Sequence, residues 1–290
     1  MIQLESISRI RADSSLNVLR TIKGFLSPKV INYSLLQKII RLSKLSDTYQ
    51  IKINQNRKKA ISEHNSTDFH ISEIFDSMQF ENNIVSFCKP TIFIRFSGCN
   101  LRCFGCDSAY ALDVSENPVY TRKEVFDKII ALQKNCNTDS ITITGGESLI
   151  HQEPIESLIK KFKHCKFDIE TNGTIIPNDF LVKHVHFWNI SPKFSNMAKN
   201  GIKPSVISFF NKLPNCIYKF VIDSEIDLKE LEAEVSRCKI PKDKVVLMPK
   251  GIQSSVIIEK SLWLIEYCKQ KGYRYSPRLH IMLYGNKRAV

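Results

Sequence analysis

Cys99, Cys103 and Cys106 share one short stretch, Cys-Asn-Leu-Arg-Cys-Phe-Gly-Cys, followed at once by Asp107 and Ser108. The x3-then-x2 spacing gathers three thiols into a tight loop. Three clustered thiolates can hold three irons of a [4Fe–4S] cube, for which four Cys are usual. One iron is then left without a protein ligand, and an open coordination position is what a catalytic metal keeps. Two plainer readings compete. A zinc site wants four ligands with pairwise spacing, and no second Cys or His pair follows at a suitable distance. A disulfide framework suits small secreted domains, whereas this chain has 290 residues and Arg9 and Arg11 where a signal peptide would be apolar.

The loop needs a rigid mount, and the flanking sequence supplies one. Thr91–Phe96 reads as a strand ended by Ser97-Gly98. Downstream, strand patterns alternate with helical ones. Thr121 with Glu124 forms a capping box ahead of Val125, Ile129, Ile130 and Leu132. Strands are expected at Ser140–Thr144, Lys166–Glu170, His186–Ile190, Cys216–Ile222 and Lys244–Met248. Helices are expected at Ile155–Phe162, with Pro154 at its first position, at Asp227–Cys238, and at Ser255–Lys271 closed by Gly272. Tyr273–Tyr284 is expected to contain a last strand carrying His280. This alternation indicates an α/β fold with a parallel sheet, and about six units fit an incomplete (β/α) TIM-like barrel. In such barrels the chemistry sits beyond the C-terminal ends of the strands. The polar motifs fall there: Gly145-Gly146-Glu147, Thr171-Asn172-Gly173, Ser191-Pro192-Lys193 and Met248-Pro249-Lys250-Gly251. Each alone also reads as an ordinary turn or loop.

Residues 1–70 differ in composition. They carry twelve Lys and Arg against five Asp and Glu, a net +7 of the chain's +13. Two helical patterns, Val18–Leu26 and Leu35–Leu42, flank Pro28, and a polar linker runs from Lys52 to Ser66. We read this part as a basic, helical N-terminal extension and 71–290 as the catalytic domain. A basic front can contact nucleic acid, but a Lys-rich solvated surface explains it more simply, so no nucleic-acid partner is expected. No apolar run approaches the roughly 20 residues of a membrane span. Beyond the triplet, Cys88, Cys136, Cys165, Cys216, Cys238 and Cys268 are scattered singly and are expected to be small buried hydrophobes. A reducing, cytoplasmic location follows.

The cysteine triplet resembles the signature of radical S-adenosylmethionine (SAM) enzymes. A narrower resemblance appears in Glu73-Ile-Phe75, Met78-Gln79-x-Glu81, Phe93–Cys103, Cys106-Asp107-Ser108, Thr144-Gly-Gly-Glu147, Glu170–Thr174, Ser191-Pro-Lys193 and Arg278-Leu-His280 with Gly285–Arg288. Together these are similar to the 7-carboxy-7-deazaguanine synthase family, from about Ile71 to Val290. The family usually has glycine at positions 80 and 82 and proline at 148, where this chain has Phe80, Asn82 and Ser148.

The resemblance implies conversion of 6-carboxy-5,6,7,8-tetrahydropterin to 7-carboxy-7-deazaguanine with loss of ammonia, on the route to queuosine. It implies a [4Fe–4S] cluster on Cys99, Cys103 and Cys106, SAM, and Mg²⁺ on Ser108. SAM contacts would come from Gly105, Cys106, Asp107, Gly146, Ser191, Pro192, Lys193, Met248, Pro249, Lys250 and Gly251. The pterin would meet Met78, Gln79, Phe80, Glu81, Arg95, Thr144 and His280. Arg95 offers a planar fork for a carboxylate, or is a surface Arg. Asp107 would hold a water of the Mg²⁺ shell or cap a helix. His280 would touch substrate or be structural. A flavodoxin- or ferredoxin-type electron donor and a homodimer are implied as well. Two other readings stand beside this one. The first is a radical SAM enzyme of different substrate, such as a glycyl-radical activase. The second is a nucleic-acid-binding protein with a structural metal.

Overall fold

The computed structural model describes residues 69–81 and 86–290. The helices and linker expected in the front segment, and Asn82, lie outside those residues. Nine strands form one sheet. They are β1 (Phe69–Met78), β2 (Pro90–Phe96), β3 (Val119–Tyr120), β4 (Ser140–Gly145), β5 (Lys166–Thr171), β6 (Phe187–Ile190), β7 (Cys216–Ile222), β8 (Val245–Pro249) and β9 (Arg274–Tyr275). The order is β3-β1-β2-β4-β5-β6-β7-β8-β9, so the sheet is not closed. From β2 through β4 to β9 all pairings are parallel. β1 runs antiparallel to both β2 and β3. The fold is α/β, and the incomplete barrel read from the alternation is present.

Among the described residues seven helices follow the strands: α1 (Arg122–Asn135), α2 (Gln152–Lys161), α3 (Asp179–His184), α4 (Pro204–Asn211), α5 (Glu225–Arg237), α6 (Ser254–Lys271) and α7 (Leu279–Tyr284). The reasons are local. The Thr121–Glu124 capping box opens α1, with both reciprocal hydrogen bonds formed. Gly272 ends α6 in the left-handed region at φ 73°. Two expectations need correction. Pro154 is the third residue of α2, not its first, because a 3-10 turn over Ser148–His151 runs into the helix. Its missing N–H still costs nothing there, since the first four helical donors have no partner within the helix. The last segment is a two-residue strand followed by α7, so His280 lies on a helix. Helices α3 and α4, unmarked in the sequence reading, are short; Asn178 caps α3 with its side chain.

Strand periodicity separates the core from the site. One face of each strand is apolar: Ile92, Ile94 and Phe96, then Ile141 and Ile143, Phe167 and Ile169, Trp188 and Ile190, Tyr218 and Phe220, Val245 and Leu247. These pack under Val125, Ile129, Ile155, Leu158, Ile207, Phe210, Leu231 and Leu264 of the helices, all fully buried. Each such side chain contributes about 1.5–3 kcal/mol. The other face carries Thr91, Arg95, Thr142, Thr144, Asp168, Glu170, Asn189 and Lys219. This polar face lines the barrel interior, where a ligand rather than a core can fill the space.

Of the scattered cysteines, Cys216, Cys238 and Cys268 are buried and Cys136 and Cys165 partly so. Cys88 departs from the expectation. It is exposed, because it sits in the turn between β1 and β2 at φ 56° and not in a strand.

Candidate active site

The strand ends open on a cavity of about 800 Å³. Of the residues predicted for the site, all but Cys99, Pro192 and Pro249 line it. Both prolines are buried, Pro192 in the turn after β6 and Pro249 at the end of β8. They shape Ser191–Lys193 and Met248–Gly251 without facing the cavity.

Cys103 and Cys106 are partly exposed on the cavity wall, and Cys99 is buried behind them. Leu101 N–H donates to Cys99 Sγ at 3.4 Å and the Asn172 amide approaches it at 3.9 Å. All three thiols are free. Burial pushes the Cys99 pKa up to about 12, and negative charge on Glu147, Cys103 and Cys106 adds to that. Burial raises Cys103 and Cys106 as well, partly offset at Cys103 by the Lys193 charge. One buried and two partly buried thiols, each held above its ordinary pKa, would give up their protons on binding iron. Among the described residues no three His, Cys, Asp or Glu side chains converge as the ligands of a single metal ion would. Three cysteine thiolates in one loop are the donor chemistry that holds an iron–sulfur cluster.

Gly145 and Gly146 show why a glycine pair ends β4. A Cβ on Gly146 would lie 2.2 Å from the Gly98 carbonyl oxygen, and one on Gly145, at φ 139°, would lie 2.0 Å from that of Phe96. Their bareness lets the cysteine loop press against the end of β4. Glu147 then ties the loop down. Its N–H donates to the Gly98 carbonyl at 2.8 Å. Its fully buried carboxylate accepts from Thr171 Oγ1 at 2.6 Å, Asn172 N at 2.7 Å and Leu149 N at 2.9 Å.

Two charged clusters contribute side chains to the cavity wall. In the first, Glu73 takes Arg95 Nε at 2.8 Å, Arg288 Nη2 at 2.7 Å and Tyr110 Oη at 3.1 Å. Arg288 also lies over the Tyr110 ring, 3.5 Å from its centroid. Arg95 faces inward with its side chain 18 % exposed, so it is not a surface residue. In the second cluster, Glu81 accepts from Lys219 Nζ at 3.0 Å and Arg278 Nε at 3.1 Å, with His280 Nδ1 at 3.3 Å. Burial alone would raise the Glu81 pKa, but Lys219 and Arg278 overcome it and hold the carboxyl far below its usual range. Burial dominates at His280 and lowers its pKa despite Glu81.

Arg278 also donates to Asp107 Oδ2 at 2.6 Å and to the Gly251 carbonyl at 2.9 Å. Asp107 is thus an ion-pair partner that also accepts Ser108 Oγ at 3.0 Å. The short helical turn that follows has no side-chain cap, so the capping alternative for Asp107 fails. Elsewhere Thr144 donates to Glu170 at 2.8 Å, and Lys193 to Ser191 at 2.6 Å. Gln79, 2 % exposed, reaches Thr142 at 3.5 Å and so braces the barrel interior. Phe80 is 9 % exposed and walls the cavity where it adjoins Glu81.

The sequence reading missed Lys219 and Arg278 as site residues. Lys219 had one usable signal, a lysine inside an otherwise apolar strand, since a buried lysine needs a partner.

A family model described as a 4Fe-4S single cluster domain matches residues 88–180. A 7-carboxy-7-deazaguanine synthase of Pyrobaculum aerophilum is 32 % identical over 220 residues, covering 75 % of this chain and 96 % of that one. One of Rhodopirellula baltica is 33 % identical over 237 residues, covering 76 % and 88 %. A crystal structure of QueE from Escherichia coli matches with a TM-score of 0.56 at 20 % identity, over 72 % of this chain and 92 % of that one. At that identity the likeness is one of fold.

Proposed function

Because this chain belongs to the 7-carboxy-7-deazaguanine synthase family, we propose that its cavity converts 6-carboxy-5,6,7,8-tetrahydropterin to 7-carboxy-7-deazaguanine with loss of ammonia. The enzyme is a radical SAM lyase. When bound, the cluster and SAM would supply the one-electron radical chemistry. Cys99, Cys103 and Cys106 hold the cluster. Gly105, Asp107, Gly146, Ser191, Lys193 and the Met248–Gly251 turn line the part of the cavity assigned to SAM.

The protein's own contribution is positioning. Arg95 is anchored through Nε to Glu73, which orients its guanidinium plane for the substrate carboxylate. The Glu81 cluster stiffens the cavity wall, and Arg278 links it to the cysteine loop through Asp107. Ser108 offers a hydroxyl to Mg²⁺, which takes few protein ligands and completes its shell with substrate and water. The activase alternative requires an opening that admits a protein loop. The partly buried Arg95–Glu73 pair instead suits a small carboxylate.

The observation that carries this reading is one cavity lined by two of the three cluster thiols and by a partly buried, pre-oriented arginine. We further read the protein as a homodimer that takes electrons from a flavodoxin- or ferredoxin-type donor in the cytoplasm. Support for a reducing compartment is that all nine cysteines are free. No described helix is long and apolar enough to cross a membrane. The test is anaerobic reconstitution with iron and sulfide, followed by SAM, dithionite and the carboxy-tetrahydropterin. Formation of 7-carboxy-7-deazaguanine and ammonia is expected. SAM cleavage without the deazaguanine product would overturn the substrate assignment.

A further inference from the structure

Asn189 is a site residue whose chemistry the arrangement above does not use. It lies on β6, 1 % exposed, and lines the cavity. Among the described residues neither its Oδ1 nor its Nδ2 has a hydrogen-bond partner. Burying an amide with both functions unmet is costly, and native proteins rarely keep such a group without a reason.

Register places Asn189 among groups whose roles are clearer. Its strand partner is Glu170, Glu170 accepts from Thr144, and the strand partner of Thr144 is Arg95. Arg95, Thr144, Glu170 and Asn189 thus form one inward row across β2, β4, β5 and β6. Arg95 is anchored to Glu73, and Thr144 and Glu170 bond each other. Asn189 is the member of the row that presents an unspent donor beside an unspent acceptor. Three strand spacings of about 4.8 Å separate the ends of the row along the curved sheet, and the distance across the lumen is shorter.

We propose that Asn189 is a substrate-positioning and specificity residue, its amide pairing with an adjacent N–H and C=O on the pyrimidinone edge of the pterin while Arg95 holds the carboxylate. An asparagine amide presents one acceptor and one donor side by side, which matches a lactam edge as it matches the donor–acceptor edge of a purine. The two ends of an elongated bicycle are then read by two ends of one row. The proposal rests on the pterin reading above.

The test uses the fluorescent, fully aromatic 6-carboxypterin as a non-reacting probe with reconstituted enzyme. Asn189→Leu keeps the branched shape and removes both polar atoms; Asn189→Ala is the second variant in case Leu fails to fold. Both are expected to weaken 6-carboxypterin binding by about tenfold to hundredfold while SAM binding stays within about twofold. KM for the carboxy-tetrahydropterin should rise more than kcat falls. The melting temperature should hold or rise, because an unsatisfied buried group has gone. A folded variant that binds 6-carboxypterin like the parent, or that loses SAM instead, overturns the proposal. If the parent chain turns over the pterin while the variants match it, only the Asn189 assignment fails. If the parent neither binds 6-carboxypterin nor forms product, the pterin reading fails and takes the assignment with it.

Discussion

Lys219 Nζ donates to Glu81 Oε2 at 3.0 Å, joining β7 to the loop after β1 across 138 residues of chain. Both side chains are largely buried, 6 % and 17 % exposed. Burial penalises both charges, so each depends on the other.

Removing one partner should therefore be costly. Lys219→Met leaves Glu81 with Arg278 and His280 and is expected to lose about 3–5 kcal/mol. A domain of this size would then melt roughly 6–20 °C lower. Thermal denaturation by circular dichroism checks this, and a melting temperature within two degrees or so of the parent would refute it.

The same cluster sets an acid limit. The folded pKa of Glu81 is depressed below its ordinary 4.5. As pH falls, the unfolded chain therefore takes the proton first. The contribution of Glu81 is fully present above about 4.5 and is lost progressively below it. Urea midpoints measured from pH 6 to pH 3 should decline, and Glu81→Gln should be less stable at neutral pH with a shallower acid slope. Parallel slopes for the two proteins would exclude Glu81 as the titrating group.

Substitution of Cys99, Cys103 or Cys106 by alanine should abolish cluster assembly. The readout is iron and sulfide per chain after anaerobic reconstitution, which should fall well below four of each in every variant. Cys88→Ala, in an exposed turn, should load like the parent. Equal loss from Cys88→Ala would mean that the thiols were wrongly partitioned.

Gly146→Ala should disrupt the cluster site without touching a thiol. The added methyl meets the Gly98 carbonyl at 2.2 Å, and backbone cannot yield as a flexible side chain can. A loss of at least about 1–3 kcal/mol is expected, with reduced iron loading as the loop shifts. Normal stability and iron content would show that the loop tolerates separation from β4.

Arg95→Gln should lose the carboxylate contact. Hydrogen bonds to charged groups contribute about 1.5–3 kcal/mol, so binding of 6-carboxypterin should weaken by roughly tenfold to hundredfold. Binding of pterin without the carboxylate should barely change. If both ligands weaken equally, Arg95 supports the fold through Glu73 and does not read the substrate.

The sequence by itself determined the cluster ligands as a candidate set, because x3-and-x2 spacing is a local property that no fold can undo. It also determined most strands and helices, since period-2 apolar runs, the Thr121–Glu124 box and Gly272 act within a few residues. The glycines after β4 were legible as a turn. That they are bare so two backbones can touch emerged only when Gly98 was placed beside them. Tertiary structure alone decided that Lys219, Arg278 and His280 converge on Glu81, that Arg288 closes over Tyr110 and Glu73, and that Asn189 faces the cavity unpaired. The charged contacts among them join residues from 138 to 215 positions apart. Their geometry depends on strand order and register, which follow from how the outer helices and the inner row pack at once, and no short window of sequence contains that information.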